Sequence, residues 1–175
     1  MDLPSLTIDI VAASEVAALS SLSKQTFQET FGAQNTESDM TAYLAKSFST
    51  EQLLKELHTP GCTFYFARID GKVIGYMKLN TGAAQSDLKE SDSLEIERIY
   101  LLQPWQGTGI AAAMMNLAID IAKKKEAQSI WLAVWEHNYR AIRFYTKFGF
   151  TAFGRHPFIL GSDVQTDIMI RKMLV

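Results

Sequence analysis

The chain holds one cysteine, Cys62, so no disulfide can close within it, and the composition suits a reducing compartment. Its three histidines, His58, His137 and His156, lack the spacing of metal ligands, and no metal site is expected. Positive charge is not in excess. With 17 Lys and Arg against 19 Asp and Glu the net charge is −2, which argues against the basic face of a nucleic-acid binder. No apolar run approaches membrane-spanning length, and the opening "MDLPSLTIDIVAA" lacks the basic start of a secretory leader. The expectation is a cytoplasmic protein with no membrane partner. There is no repeat, no low-complexity tract and no linker rich in Pro or Ser. With 47% hydrophobic residues, the 175-residue chain is expected to bury one core as a single domain over 1–175.

What is present has a clear order. "LTIDIV" alternates as a strand does, and the spacing of Val16, Leu19, Leu22, Phe27 and Phe31 is helical. Thr36 to Asp39 and Ser49 to Gln52 carry the polar signatures of two further helix starts. The period then changes. "CTFYFARI" and "KVIGYMKLN" are β-rich and joined by Asp70-Gly71, a strong two-residue hairpin signal. A polar loop, Thr81 to Asp92, leads into the strand "SLEIERIYLL". An amphipathic helix begins at Ile110 and ends in Lys123, Lys124 and Lys125, favourable at the negative end of its dipole. "SIWLAVW" reads as a strand buried on both faces, and Asn138 to Phe148 as a short helix stopped by Gly149. "FTAFGRH" and "TDIMIRKMLV" read as two final strands. The order β-ααα-β-β-β-α-β-α-β-β implies an α/β fold with a mixed sheet.

Between the central strand and the long helix lies Gln106-Gly107-Thr108-Gly109. Two glycines at a helix start leave its unpaired backbone N–H groups open to an anion, normally a phosphate. A P-loop would need Gly-Lys-Ser/Thr, and no lysine follows Gly109 before Lys123. A dinucleotide fingerprint fits G-x-G-x-x-A, but the acidic ribose ligand about twenty residues on is missing: Glu126 precedes the next strand and Glu136 lies too far.

A third pattern adds residues. Gln106-x-x-Gly109-x-Ala111 follows "ERIYL", and "AVWEHNYRAIRFYTKFGF" lies downstream with Asn-x-x-Ala, Tyr and Gly-Phe in order. The pair resembles the signature motifs of the GNAT superfamily of N-acetyltransferases. In "TFQETFGAQNTESDMTAYL", "LEIERIYL", "IWLAVWE" and "QTDIMI" the chain looks most like the PaiA-type spermidine/spermine N-acetyltransferases. The resemblance implies a mixed, mostly antiparallel sheet splayed at an acetyl-CoA cleft, with helices on both faces. It also implies acetyl-CoA as cosubstrate and a small amine as partner, and it leaves room for a homodimer.

By that resemblance, backbone N–H groups of Gly107, Thr108, Gly109, Ile110, Ala111 and Ala112 cradle the pyrophosphate, with Gln106 assisting. The pantetheine arm runs along Ile99, Tyr100 and Leu101 like an added strand, and also meets Asn138. The N–H of Leu101 would hold the thioester oxygen, Tyr145 would protonate the departing sulfur, and Glu97 would serve as the base. At period two, Glu97 should share a face with Leu101 and with its rival Glu95. Glu29, Glu37, Asp39, Glu95 and Glu97 are expected to form an acidic acceptor wall, and His156 is a further candidate there. Cys62 reads as a small core residue and Trp105, Trp131 and Trp135 as packing. Other acceptors stay open: a protein N-terminus, a lysine, an aminoglycoside. So does a non-catalytic coenzyme-binding module.

Overall fold

The structure, a computed structural model, describes residues 5–175; the part of the leader reading that rests on the first four residues lies outside them. Seven strands and five α-helices alternate as β1 (Leu6–Ile10), α1 (Val16–Phe31), α2 (Glu37–Ser47), α3 (Thr50–Leu57), β2 (Cys62–Ile69) and β3 (Lys72–Thr81), then β4 (Ser93–Leu101), α4 (Ile110–Lys124), β5 (Ser129–Trp135), α5 (Tyr139–Lys147), β6 (Thr151–Leu160) and β7 (Asp163–Met173). The expected order and fold class are borne out. The sheet runs β1-β2-β3-β4-β5-β7-β6, and only β4 and β5 pair in parallel, through the α4 crossover.

Local chemistry explains most of the boundaries. Thr36 Oγ1 accepts the Asp39 N–H at 3.1 Å and Ser49 Oγ accepts the Gln52 N–H at 3.1 Å, so both helix starts are capped as expected. Asp70 and Gly71 both take positive φ, 49° and 81°, the conformation a two-residue hairpin needs. The last two strands run further than their sequence suggested. They extend to Leu160 and Asp163 and turn back at Gly161-Ser162. β6 continues through Pro157, which an edge strand accommodates because a missing N–H can face solvent.

The sheet is covered on both faces. Ile110, Met114 and Ala118 of α4 pack with Met77, Ile96 and Ile130 on one face. Leu19 and Phe27 of α1, Phe48 and Leu53 pack with Phe64, Phe66 and Tyr76 on the other. These faces are closed by burial of apolar area, the main favourable contribution to folding.

The site is made by a failure of pairing. β4 follows β3 from Leu94 to Leu101, yet it touches β5 only from Ser93 to Glu95, opposite Ser129 to Trp131. Beyond Glu95 the two strands diverge. A β-bulge coincides with the opening: Lys78 pairs with Arg98 and Leu79 with Ile96, leaving Glu97 as the extra residue. A bulge bends its strand and inverts the face alternation. One expectation is therefore corrected. Glu97 does not share the face of Leu101; Ile99 and Leu101 belong to the α4 side, whereas Glu95, Arg98 and Tyr100 belong to the α1–α3 side with the partners of Glu97. Period two fails because one residue is inserted into the count.

Candidate active site

The divergence of β4 and β5 opens a cleft of about 960 Å³, lined along its length by Glu29, Glu95 to Leu101, the glycine turn, Ala133 to Trp135, Asn138 and Tyr145. Its two ends are built differently.

At one end the lining is backbone. Gly107 and Gly109 adopt φ of 76° and 89°, left-handed values that favour glycine, and Gly109 stands directly before the first turn of α4. Ala113 is the first α4 residue whose N–H closes onto Gly109, at 3.1 Å, so the N–H groups of Ile110, Ala111 and Ala112 precede the helical ladder. A Cβ at Gly109 would meet open space, which leaves the approach to those donors clear. Thr108 Oγ1 donates to Trp105 O at 2.5 Å and fixes the turn. Gln106 braces it: Nε2 donates to Leu101 O at 3.2 Å, and Oε1 accepts from Arg140 Nη1 at 3.0 Å. Arg140, one residue inside α5, thus brings a cation to the glycine turn. Its only sequence signal was a basic residue two positions after the motif asparagine. Asn138 caps α5, its Oδ1 accepting the Ala141 N–H at 3.3 Å.

Between the ends, backbone direction matters. Leu102 N–H donates to Ile74 O of β3 at 3.0 Å. Donors alternate sides along an antiparallel strand, so the N–H groups of Ile99 and Leu101 point to the opposite edge, where β5 has left. The bulge inverts side chains without removing Leu101 from the cleft, because its backbone is what faces the opening. Tyr145 lines the same region, 8% exposed, and burial pushes its phenol well above the usual tyrosine value, so it carries its proton at neutral pH.

At the other end the lining is side chain. Asn80 Nδ2 donates to Glu95 Oε1 at 3.0 Å and to Glu97 Oε2 at 2.8 Å, so the two carboxylates are indeed neighbours. Their environments push them apart. Burial raises the Glu95 carboxyl, against the lowering by its bonds from Ser86 Oγ, Asn80 and the Ser86 N–H, the last at 2.8 Å. Burial also acts to raise Glu97, but Arg98 and Lys78, with the Lys78 and Asn80 bonds, outweigh it and hold Glu97 below the usual carboxylate range. Lys78 Nζ lies 2.5 Å from Glu97 Oε2.

The acidic wall is only partly where it was expected. Glu29 lines the cleft, but its Oε2 accepts the Gln103 N–H at 3.2 Å and so ties α1 to the loop after β4. Glu37 and Asp39 are not among the cleft-lining residues. Glu37 borders a shallow hollow on α2, and Asp39 accepts from Ser162 Oγ at 3.2 Å, docking α2 against the β6–β7 turn. Two other carboxylates stand in the cleft instead. His156 Nδ1 lies 3.2 Å from Asp87 and Nε2 3.5 Å from Asp167, and burial raises the Asp167 carboxyl against the opposing influence of His156. Phe27, Phe31, Tyr43, Trp135 and Phe158 complete this end, Trp135 packing edge-on against Phe31. Cys62 is not among the lining residues, and burial pushes its thiol up to about 11. No group of three or more His, Cys, Asp or Glu is placed to hold a metal among the described residues.

A model of the "Acetyltransferase (GNAT) family" matches residues 23–150. The chain belongs to that family. It is 41% identical over 154 residues to an uncharacterized N-acetyltransferase of Lactobacillus delbrueckii subsp. lactis, covering 88% of this chain and 89% of the relative. It is 32% identical over 134 residues to an uncharacterized N-acetyltransferase of Mycobacterium tuberculosis, covering 76% and 81%. The crystal structure of PaiA N-acetyltransferase from Thermoplasma acidophilum in complex with coenzyme A superposes with a TM-score of 0.79 over 97% of this chain and 99% of that one, at 22% identity. This GNAT protein is an acetyl-CoA-dependent N-acetyltransferase. The open glycine turn, the unladdered N–H groups of α4 and the free edge of β4 fit an elongated phosphorylated cosubstrate.

Proposed function

We propose that the acceptor is a primary amine of a small polyamine such as spermidine or spermine, acetylated by direct attack in a ternary complex. The observation that carries this reading is the acceptor end of the cleft. Glu95, Glu97, Asp87 and Asp167 stand there beside the aromatic side chains of Tyr43, Trp135 and Phe158. Carboxylates and aromatic faces together suit a flexible chain of alternating ammonium and methylene groups. Coenzyme-bound acetate supplies an activated acyl group as a thioester.

The chain's own residues supply the rest. Glu97, held ionised by Arg98 and Lys78, attracts the acceptor ammonium and takes one proton from it, directly or through water, which frees the nitrogen lone pair for attack; the second proton, shed by the nitrogen on attack, makes good the one that Tyr145 gives to sulfur. Leu101 N–H donates to the carbonyl oxygen as negative charge grows on it. The Tyr145 hydroxyl returns a proton to the departing sulfur. Gln106, Gly107, Thr108, Gly109, Ile110, Ala111 and Ala112 hold the pyrophosphate, Arg140 adds a cation, and Ile99, Tyr100, Leu101 and Asn138 hold the pantetheine. Direct attack is supported by the position and high pKa of Cys62, which offers no thiolate to the cleft at neutral pH.

Thiol release from acetyl-CoA across an amine panel tests the proposal. Spermidine and spermine should react with higher kcat/KM than a monoamine of similar length. Equal turnover of monoamines and polyamines removes the polyamine reading.

A further inference from the structure

Glu56 lies outside every motif of the family resemblance, yet it closes a ring of four charges beside the cleft. Its Oε1 accepts from Lys78 Nζ at 2.5 Å and from Arg98 Nη2 at 3.2 Å. The same two cations reach Glu97, Lys78 at 2.5 Å and Arg98 at 3.8 Å. Lys78 is 5% exposed, and the Glu56 side chain 14%. Both cations also lie over aromatic rings, Lys78 over Phe64 at 5.6 Å and Arg98 over Phe48 at 5.0 Å. Glu56 Oε2 and Arg98 Nη1 are buried without a partner. Solvent therefore screens this ring poorly, and each charge in it is felt by the others.

We propose that Glu56 is a positioning residue: by engaging Lys78 and Arg98 it sets how much positive charge bears on Glu97, and so how strongly Glu97 holds a proton. The inference rests on Glu97 serving as the acceptor-side base. The charge count gives the sign. In the native ring, Lys78 and Arg98 are offset by Glu56, leaving one net positive charge facing Glu97. Without Glu56 there are two; without Lys78 there is none; without both there is again one. The other groups facing Glu97 do not change this count. Tyr76 and Asn80 of β3, Tyr43 of α2 and Cys62 of β2 stay uncharged near neutral pH, because Asn80 does not ionise and burial raises the other three. Glu95 on β4 is common to every variant.

The test is a carboxyl-carbon NMR titration of Glu97, its signal assigned by its loss in Glu97→Gln, alongside the pH dependence of kcat/KM for spermidine. Glu56→Gln should move the Glu97 titration down by about one pH unit or more, and Lys78→Gln should move it up by a similar amount. The double variant should return close to the native value. Should Glu56→Gln fail to fold, the step from Lys78→Gln to the double variant reads the same downward shift. A Glu97 titration unmoved by removal of Glu56 in both backgrounds overturns the proposal. A titration that shifts while the acid limb of kcat/KM stays fixed upholds the hold of Glu56 on Glu97 and refutes Glu97 as the base.

Discussion

The two ends of the cleft are made of different materials. The end proposed to hold the coenzyme is backbone and consecutive: residues 106–112 bend at two left-handed glycines and run straight into α4. The end proposed for the acceptor is side chain and dispersed. Glu29 comes from α1, Tyr43 from α2, Glu95 and Glu97 from β4, Asp87 from a loop, and His156 and Asp167 from the terminal hairpin. A backbone site depends on conformation, so it tolerates few substitutions at its glycines and many elsewhere. A side-chain site depends on charge and on what supports the charge, so its chemistry can be retuned one residue at a time. Variants at the two ends should consequently separate cleanly, coenzyme affinity responding to one and acceptor kinetics to the other.

The largest effect is expected at the coenzyme end. Gly109→Glu sets a side chain and a negative charge against the phosphates, and coenzyme affinity should fall by ~10²-fold or more, read by calorimetry. Because φ at Gly109 is 89°, part of the loss is conformational. Gly109→Asn, which tolerates left-handed backbone, should lose much less. A folded Gly109→Glu variant with native affinity would sink the assignment of this turn to the phosphates.

Next is Tyr145→Phe, at the junction of the two ends. Turnover should drop by ~10² while the dissociation constants of both substrates stay near native, since only the proton donor is removed. Native turnover under conditions where chemistry limits the rate would make Tyr145 a packing residue.

Third, Glu97→Gln should lower kcat/KM for the acceptor by ~10-fold or more and leave coenzyme binding alone. The pH profile decides between the neighbours. A base whose carboxyl is held down is ionised over more of the acid range, so with Glu97 the acid limb should lie below the usual glutamate region. With Glu95, held up by burial, it should lie above. An acid limb on the high side that survives Glu97→Gln transfers the role to Glu95.

The smallest effect belongs to the rim. Glu29→Gln should raise the acceptor KM a few-fold, as should added salt, because exposed charges are screened over ~8–10 Å at physiological ionic strength. The coenzyme KM should barely move. Part of the carboxylate of Glu29 is engaged by the Gln103 N–H, so a KM change accompanied by a lower melting temperature would mark a structural brace instead.

Legibility followed the same division. The hairpin at Asp70-Gly71, the caps Thr36 and Ser49 and the glycine turn each lie within a few consecutive residues, and each took the expected conformation. Lys78 and Asn80 were less readable. They alternate with Met77 and Leu79 as the solvent face of a strand would, yet they are 5% and 0% exposed, Lys78 meeting Glu56 of α3 and Asn80 meeting Glu95 and Glu97 of β4. The polar loop after β3 gave no sign that Ser86 and Asp87 would turn inward to Glu95 and His156. Asp39 carried the right charge for the acceptor wall but lies on a helix that faces the terminal hairpin.

The sequence by itself determined the order of elements and the anion-ready start of α4, because turn conformation, capping and apolar period are decided among near neighbours in the chain. Tertiary structure decided the rest. Whether Glu97 faces with Leu101 or against it depends on one residue inserted into the β3–β4 register, and a register belongs to two strands at once. Burial acts to raise the Glu97 carboxyl and the charges of Arg98 and Lys78 hold it down, charges felt strongly because both cations are themselves nearly buried. Electrostatic strength in this cleft is a property of burial, and burial exists only once distant parts of the chain have packed.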